Sequence, residues 1–599
     1  MSRFDAIGLW WEDLPAEKGA AGRAARPMPP IPESSWRAPT TFPDLTRAKV
    51  ISFDTETYDP NLLTRGPGWA RGDGHMVGLS VAVSPTDSWY FPMRHETQPE
   101  QNMAPESVLA WAADNLGSDI PKVGANLMYD VGWLRQEGVR VGGKLYDVQW
   151  AEALLDDRAS TALDNLAQRY LNSGKETDAL YEWLADWFGG APNGKQRKYM
   201  HRAPPCLAGP YAESDAYLPL QIIEAQFALL KKHGLLNLFD MEMRLLPLLQ
   251  DMRFRGVRVD LDKAEQVREL LTQKEAVPQA ALNKLAGFEV NTNSGEDLAL
   301  VFDKQSLPYA RTATDKPSFT APFLEGLTHP VGQLVRDVRK YQKARGTFVE
   351  SYIMDSHVDG RVYCQFHPLR GDGGGAVSGR FSSSTPNLQN IPARDPEIGN
   401  LIRSVFVPDH GERYWRKYDY SQIEYRLLAH FAVGRGSDEI RKVFSDDPSA
   451  DFHETVRQLI YAITGVLLER KPTKNINFGL CYGMGQPKLT RDLNLTKAGG
   501  AELFGAYHTG APFVKSTFDH YADVAATTGT VRTLLGRMSR FDLWEGTQYD
   551  KNVIALPYGE AVQQWGAVRR AYTHKGLNRV LQGSAADVLK MAMVMCNEQ

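Results

Sequence analysis

Asp54 and Glu56 stand two residues apart in KVISFDTETY, a stretch that alternates like a strand. Side chains two apart leave a strand on the same face, so both carboxylates can approach one cation. GANLMYD then places Asn126 and Asp130 after another strand-like segment, and YAESD sets Tyr211 and Asp215 one helical turn apart. Taken alone, the letters DTE read as solvated edge carboxylates; the company of the other two segments turns the reading toward a shared site. Four carboxylates gathered in one place disfavour joint ionisation unless cations neutralise them. Paired divalent cations held this way lower the pKa of a bound water and stabilise attacking and leaving oxygens.

A second set of residues lies in the distal half. RKYDYSQIEYRLLAHF approaches Asp419 as a strand and turns helical near Ser421, which puts a carboxylate at a strand-to-helix junction. Ser421 and Glu424 also fit S-x-x-E, so a capping box is the competing reading of Glu424. RKPTKNINFGLCYGMG sets Arg470, Lys474, Phe478 and Tyr482 at intervals of four, a slowly drifting stripe on one helix face with two cations beside two aromatics. Such a face suits a triphosphate and a flat base, and a solvated basic face over buried aromatics is its alternative.

The elements that position these groups follow from periodicity. MVGLSVAVSP and SWYFPMRH are further strands; ESVLAWAADNL, VQWAEALLDD and ALDNLAQRYL are helices, giving a mixed α/β unit to about residue 225. Beyond Gly234 the chain becomes strongly helical, as in MEMRLLPLLQDM and AEQVRELLTQ. Residues 1–45, rich in Ala, Gly and Pro, read as a flexible lead-in, and the aromatic and basic stretch between 175 and 210 as a surface excursion or a single-strand contact. A length of 599 residues predicts several domains, and 43% hydrophobic residues exclude wholesale disorder. The charge sum of −4 rules out a uniformly basic coat but leaves room for a local basic groove. Four dispersed cysteines support neither a disulfide framework nor a cysteine zinc site, and the absence of a signal pattern or long apolar run points to the cytoplasm, with no membrane.

Residues 46–225 resemble the 3′–5′ exonuclease domain, of the DEDD type with a tyrosine, of family A DNA polymerases. The resemblance implies an RNase H-like mixed sheet in which Asp54, Glu56, Asp130 and Asp215 hold two divalent cations while Tyr211 helps position the attacking water. DYSQIEYR resembles motif A of the same family, implying that Asp419 and the Tyr420 carbonyl bind catalytic Mg2+, that Ser421 and Gln422 lie at the nucleotide site, and that Glu424 blocks a ribose 2′-OH. The 470–482 segment resembles motif B: Arg470 and Lys474 would contact the triphosphate, Phe478 the sugar and base, Tyr482 the templating pair. His453 in DFHETV resembles a phosphate-contacting histidine. SGRFSSSTPNLQNIP implies DNA contacts by Arg380, Asn387 and Gln389, and Arg537, Asn578 and Gln582 match positions that face the minor groove, where N3 and O2 acceptors recur for every base pair.

The implied architecture is an α/β exonuclease domain joined to an α+β right-hand polymerase domain at 235–599, with thumb about 235–355, palm about 356–430 and 546–599, and fingers about 431–545. The implied activity is dNTP addition to a primer 3′ end on primer–template DNA, with proofreading, in DNA replication, of a phage replicative type. Mg2+ is the implied cofactor, two per active site, with Mn2+ able to substitute. The His-Asp-Glu hairpin that follows QGSAAD in the family does not occur before Gln599. With Asp419 as one carboxylate for two cations, the expectation is an incomplete palm and feeble polymerisation by the isolated chain, or a second polypeptide that completes it. The rival reading is accordingly an exonuclease-bearing primer–template binding subunit of a divided polymerase. A single-subunit RNA polymerase is disfavoured by Glu424, the Phe478–Gly479 pair and the exonuclease segment.

Overall fold

The structure is a computed structural model that describes residues 26–175, 177–371, 374–393, 395–464, 476–477, 479–493, 495–548 and 553–599. The three strand expectations hold: β1 (Ile51–Tyr58), β2 (His75–Ala82) and β3 (Ser88–Pro92) form an antiparallel meander. Short strands β4 (Lys122–Gly124) and β5 (Leu145–Asp147) add in parallel on the other side of β1, giving the order β3-β2-β1-β4-β5. β1 is thus central, which is why Phe53 on one face is fully buried while Asp54 and Glu56 share the other.

Helices α1 (Pro105–Leu116), α2 (Leu127–Gln136), α3 (Val148–Leu155), α4 (Leu163–Leu171) and α5 (Asp178–Phe188) surround the sheet. The long α6 (Pro205–Lys232) crosses it, packing on β1, β2 and β3. Asp147, at the end of β5, caps two helices at once: its carboxylate accepts from Leu127 N at 2.7 Å and from Gln149 N at 2.8 Å. The lead-in corrects the expectation of flexibility from residue 26 onward. Trp36 donates to Glu213 at 2.9 Å, Trp183 donates to the Pro30 carbonyl, and the Trp36 ring lies so close to Gly209 that a Cβ there would meet it at 2.1 Å. That strap covers the cluster of Tyr181, Trp183, Leu184 and Tyr211, so the aromatic part of the 175–210 excursion is core.

Helix α7 (Leu236–Arg255) was expected to open a second region; instead Leu238, Leu245, Leu246 and Leu249 bury against the same core as Phe53 and Ile222. α7 packs on the C-terminal helix Gly576–Glu598 as well as on α3, α6 and β5, so the core runs through the junction. The distal part continues with α8 (Leu261–Ala286), started by the Asp260 side chain on Lys263 N and stopped by Gly287 at φ 78°. Next come α9 (Gly295–Lys304) and α10 (Pro330–Lys343), the latter running into a π-helical stretch, Ala344–Met354. Basic side chains of α10 and of the π-helical stretch are spent within the protein: Arg339 donates to the Thr292 and Phe319 carbonyls, Lys340 pairs with Asp395 at 2.8 Å, and Arg345 pairs with Glu275 and Glu350. A second core forms among α11 (Ile423–Phe431), α12 (Ser437–Asp446), α13 (Phe452–Thr464), α14 (Gln486–Asp492), α15 (Lys497–Gly510), α16 (Pro512–Thr528) and α17 (Gly576–Glu598).

Candidate active sites

β1 and α6 bring the first site together. Asp54, Glu56 and Asp215 each offer a carboxylate oxygen, and the three oxygens lie within 4.8 Å of one another. Glu56 and Asp215 are buried, and Glu56 Oε1 has no hydrogen-bond partner, an orphaned carboxyl oxygen that a cation would satisfy. The donor set is all oxygen, as a hard divalent ion requires. Asp130, on the first turn of α2, stands apart from that trio: its Oδ1 accepts from Thr55 N at 3.0 Å and Thr55 Oγ1 at 2.7 Å. It remains close enough to act on Asp54, whose carboxyl is pushed well up by burial, then by Asp130 and Asp215. Burial and Asp215 push Glu56 up to about 8, and burial pushes Asp130 up to about 7 against the Thr55 hydrogen bonds. The Tyr211 hydroxyl accepts from Tyr181 at 3.3 Å, inside the protein.

Two cations missed by the sequence reading face this cluster. Lys175 Nζ sits 2.6 Å from Asp215, with only 6% of the lysine side chain exposed. Arg197, from the 3-10 segment Gly194–Arg202, is raised by Tyr211, against burial, and further by Tyr181, Asp215 and Glu56. Both come from the 175–210 excursion; a lysine and an arginine in a basic stretch gave no local sign of which would turn inward.

The distal residues are placed differently from expectation in several respects. Residues 412–420 form no ladder among the described residues, and Tyr418 is 85% exposed. The strand expected before Asp419 is therefore an irregular segment, because alternation alone supplies no hydrogen-bonding neighbour. Asp419 belongs to no group of three metal-binding side chains among the described residues, so the described side chains around it do not fit a two-cation centre. The helix starts at Ile423 with Gln422, at φ 54°, in the cap position and without a side-chain cap bond, so the capping-box reading of Ser421 and Glu424 fails. Ser421 is exposed, and Tyr420 is 49% exposed.

Glu424 instead gathers two groups the sequence left far apart, accepting from the Arg380 guanidinium and from the Tyr482 hydroxyl. Tyr482 lies in the turn just past the described helical residues 479–481. Arg470, Lys474 and Phe478 lie outside the described residues. Gln422 is not free for a nucleotide: its amide donates to the Ala450 carbonyl and accepts from Phe452 N. His453 is corrected likewise, being 6% exposed, edge-on to Tyr425 and 3.1 Å from the Asn477 amide, a packed ring. Asn387 performs turn duty, its Oδ1 accepting from Gln389 N and Ser383 Oγ, while Gln389 is exposed.

Arg537 is the clearest correction to the minor-groove set. Its side chain is 4% exposed and is spent on Glu242 and on Asp587, the latter at 2.6 Å. Its partners lie on α7 and α17, elements separated by hundreds of residues, and a buried guanidinium takes the carboxylates the fold brings to it. Asn578 and Gln582, by contrast, share one partly exposed face of α17, and Asn578 Oδ1 is without a partner.

Comparison with known proteins gives these sites their context. The model of DNA polymerase family A matches residues 261–599, and that of a 3′-5′ exonuclease matches residues 38–227. The chain is a family A DNA polymerase. It carries a 3′–5′ exonuclease domain on the α/β unit and a right-hand polymerase domain beyond it. It is 32% identical to a DNA-directed DNA polymerase of Pseudomonas phage M6, over 94% of this chain and 89% of that protein. It is 28% identical to the DNA polymerase DpoZ of Acinetobacter phage SH-Ab 15497, over 93% of this chain and 88% of that one. It is 30% identical to DNA polymerase I of Pseudomonas aeruginosa, over 92% of this chain but only 57% of that longer protein. In fold it is similar to the POL domain of Pol1 from M. smegmatis, in complex with DNA primer-template and dNTP, with a TM-score of 0.69, 23% identity, and coverage of 92% of this chain and 86% of that one. These relatives are DNA polymerases in their own names, and they give the second polypeptide and the non-polymerising subunit no support. Among the described residues no helix is long and apolar enough to cross a membrane.

Proposed function

We propose that this family A polymerase extends primer 3′ ends in DNA replication and proofreads them at the site of Asp54, Glu56 and Asp215, with Asp130 and Tyr211 assisting and Mg2+ as the cation. The observation that carries the reading is the convergence of three carboxylate oxygens within 4.8 Å, one of them on a buried group with an orphaned oxygen. When bound, paired divalent cations supply a hydroxide-like water and charge stabilisation at the scissile phosphate. The chain supplies the rest. β1 holds Asp54 and Glu56 on one rigid face, and α6 presents Asp215 and Tyr211 one turn apart. Tyr211, ordered by Tyr181, orients the attacking water with its hydroxyl. Asp130 is pinned by Thr55 through Oδ1 and would help to hold a second cation.

In the polymerase half, Asp419 and Tyr420 are assigned to the dNTP site on family resemblance. Arg470, Lys474 and Phe478 are assigned to the dNTP, with Glu424 and Tyr482 at its sugar and base. Arg380, Gln389, Asn578 and Gln582 are assigned to primer–template DNA. Asn578 and Gln582, partly exposed on one face of α17, support a minor-groove contact that is tolerant of sequence.

One gel assay tests both halves. Asp54→Ala with Glu56→Ala should abolish Mg2+-dependent trimming of single-stranded 3′ ends and leave DNA binding intact, whereas Asp419→Ala should abolish dNTP-dependent extension and spare trimming. Unchanged trimming in the first variant rejects the editing site, and unchanged extension in the second rejects the role of Asp419.

A further inference from the structure

Lys175 lies in the irregular link between α4 and α5, yet its ammonium is delivered into the carboxylate cluster. It stands 2.6 Å from Asp215, 3.4 Å from the Tyr211 hydroxyl and 4.8 Å from the centre of the Tyr211 ring. Both partners of the ion pair are buried, with side-chain exposures of 6% and 7%. A Mg2+ ligand distance is about 2.0–2.1 Å, so an ion bound to Asp215 would lie against the ammonium, and two cations that close repel strongly. The same carboxylate cannot serve both in this geometry. A lysine side chain has four torsions through which its ammonium can withdraw.

Resting on the exonuclease reading above, we propose that Lys175 is a resident counter-ion of Asp215 that a divalent cation must displace before the editing site is loaded. The ammonium neutralises the cluster while the site is empty, which lets buried carboxylates be held together without metal. Cation entry breaks the Lys175–Asp215 pair and releases the ammonium toward the mouth of the site, where the anionic strand arrives. Loading therefore competes with an internal ion pair, and the affinity for the cation is set partly by a residue that is not its ligand. Lys175 is in this sense a positioning residue.

The test is Mn2+ binding to the full chain without DNA, followed by electron paramagnetic resonance at constant pH and salt. An opposite charge within a few ångström of a carboxylate is worth about 1–3 units of its proton affinity, so Lys175→Met should tighten Mn2+ binding by roughly 10- to 1,000-fold. Lys175→Arg, which keeps the charge, should stay near the parent. Mn2+ affinity unchanged or weakened in Lys175→Met, with an unaltered melting curve, overturns the inference. Should that variant not fold, the parent protein answers: reductive methylation of Lys175, read by peptide mass, should be slow without metal and accelerate on adding Mn2+, and an unchanged rate overturns the inference as well. Asp54→Ala with Glu56→Ala identifies the site: if the parent shows no Mn2+ binding that this variant loses, the exonuclease reading fails and takes the counter-ion with it. Carboxylate-dependent binding that ignores Lys175 overturns only the counter-ion.

Discussion

Glu242→Gln is the most informative single change for the architecture. Glu242, Arg537, Asp587 and Lys590 form a buried quartet, none more than 4% exposed, with two negative and two positive groups. Lys590 donates to Glu242 at 2.7 and 3.1 Å and to the Pro368 carbonyl at 2.7 Å, and Thr533 donates to Asp587 at 2.6 Å. The substitution keeps the shape and leaves one uncompensated buried positive charge, which typically costs about 3–5 kcal/mol. The loss has an outlet. Burial, opposed by Glu242, already pushes Lys590 down to about 8, so without the carboxylate it falls further and sheds its proton near neutrality. The unfolded chain then binds more protons than the folded one, and stability of the variant rises with pH through the neutral range, whereas in the parent this rise begins only above about 8. Calorimetric melts of the full chain should show the deficit largest near about pH 6 and smaller near about pH 8. Adding Lys590→Met should restore much of it, with a coupling of roughly 1–3 kcal/mol. A cost below about 1 kcal/mol at low pH, or strict additivity of the two changes, would refute the view that this quartet holds its charges as one unit.

Glu424→Ala should raise ribonucleotide incorporation about tenfold or more, by removing the carboxylate from the sugar position; flat incorporation in primer extension with rNTPs would leave Glu424 only its tie to Arg380 and Tyr482. The editing site should couple cation binding to pH. Glu56, pushed up to about 8 by burial, keeps a proton in the cation-free protein that the unfolded chain loses near its ordinary value. Its contribution to stability is thus present below the unfolded pKa and lost as pH rises through about 8. A cation replaces that proton, so Mg2+ should raise the melting temperature more at about pH 8.5 than at about pH 6, and equal increments would contradict the assignment.

The first site was legible to the degree that its ligands sit on regular elements. Asp54 and Glu56 share a face because strand period is two, and Tyr211 and Asp215 share one because helix period is 3.6; both periods are local. What stayed hidden came from irregular chain. Lys175 and Arg197 lie in a link and a kinked 3-10 segment, where no period says which side chain turns inward. Arg537 misled for the opposite reason: an arginine in a recognisable string looks free for DNA, and only the arrival of Glu242 and Asp587 from distant helices shows it occupied. The strand expected at Asp419 failed on the same ground, since a ladder needs a neighbour that alternation cannot name.

Side-chain order along the backbone thus determined the family, the two-part organisation and which carboxylates belong together, because motifs and periodicity are properties of contiguous chain. Tertiary structure alone decided the charge environment, namely which cations neutralise which buried acids and how far burial raises their pKa values, and that α7 shares one apolar core with the sheet and with α17. Those depend on distances between residues far apart in the chain, and Coulomb energy, desolvation and apolar packing all act through space.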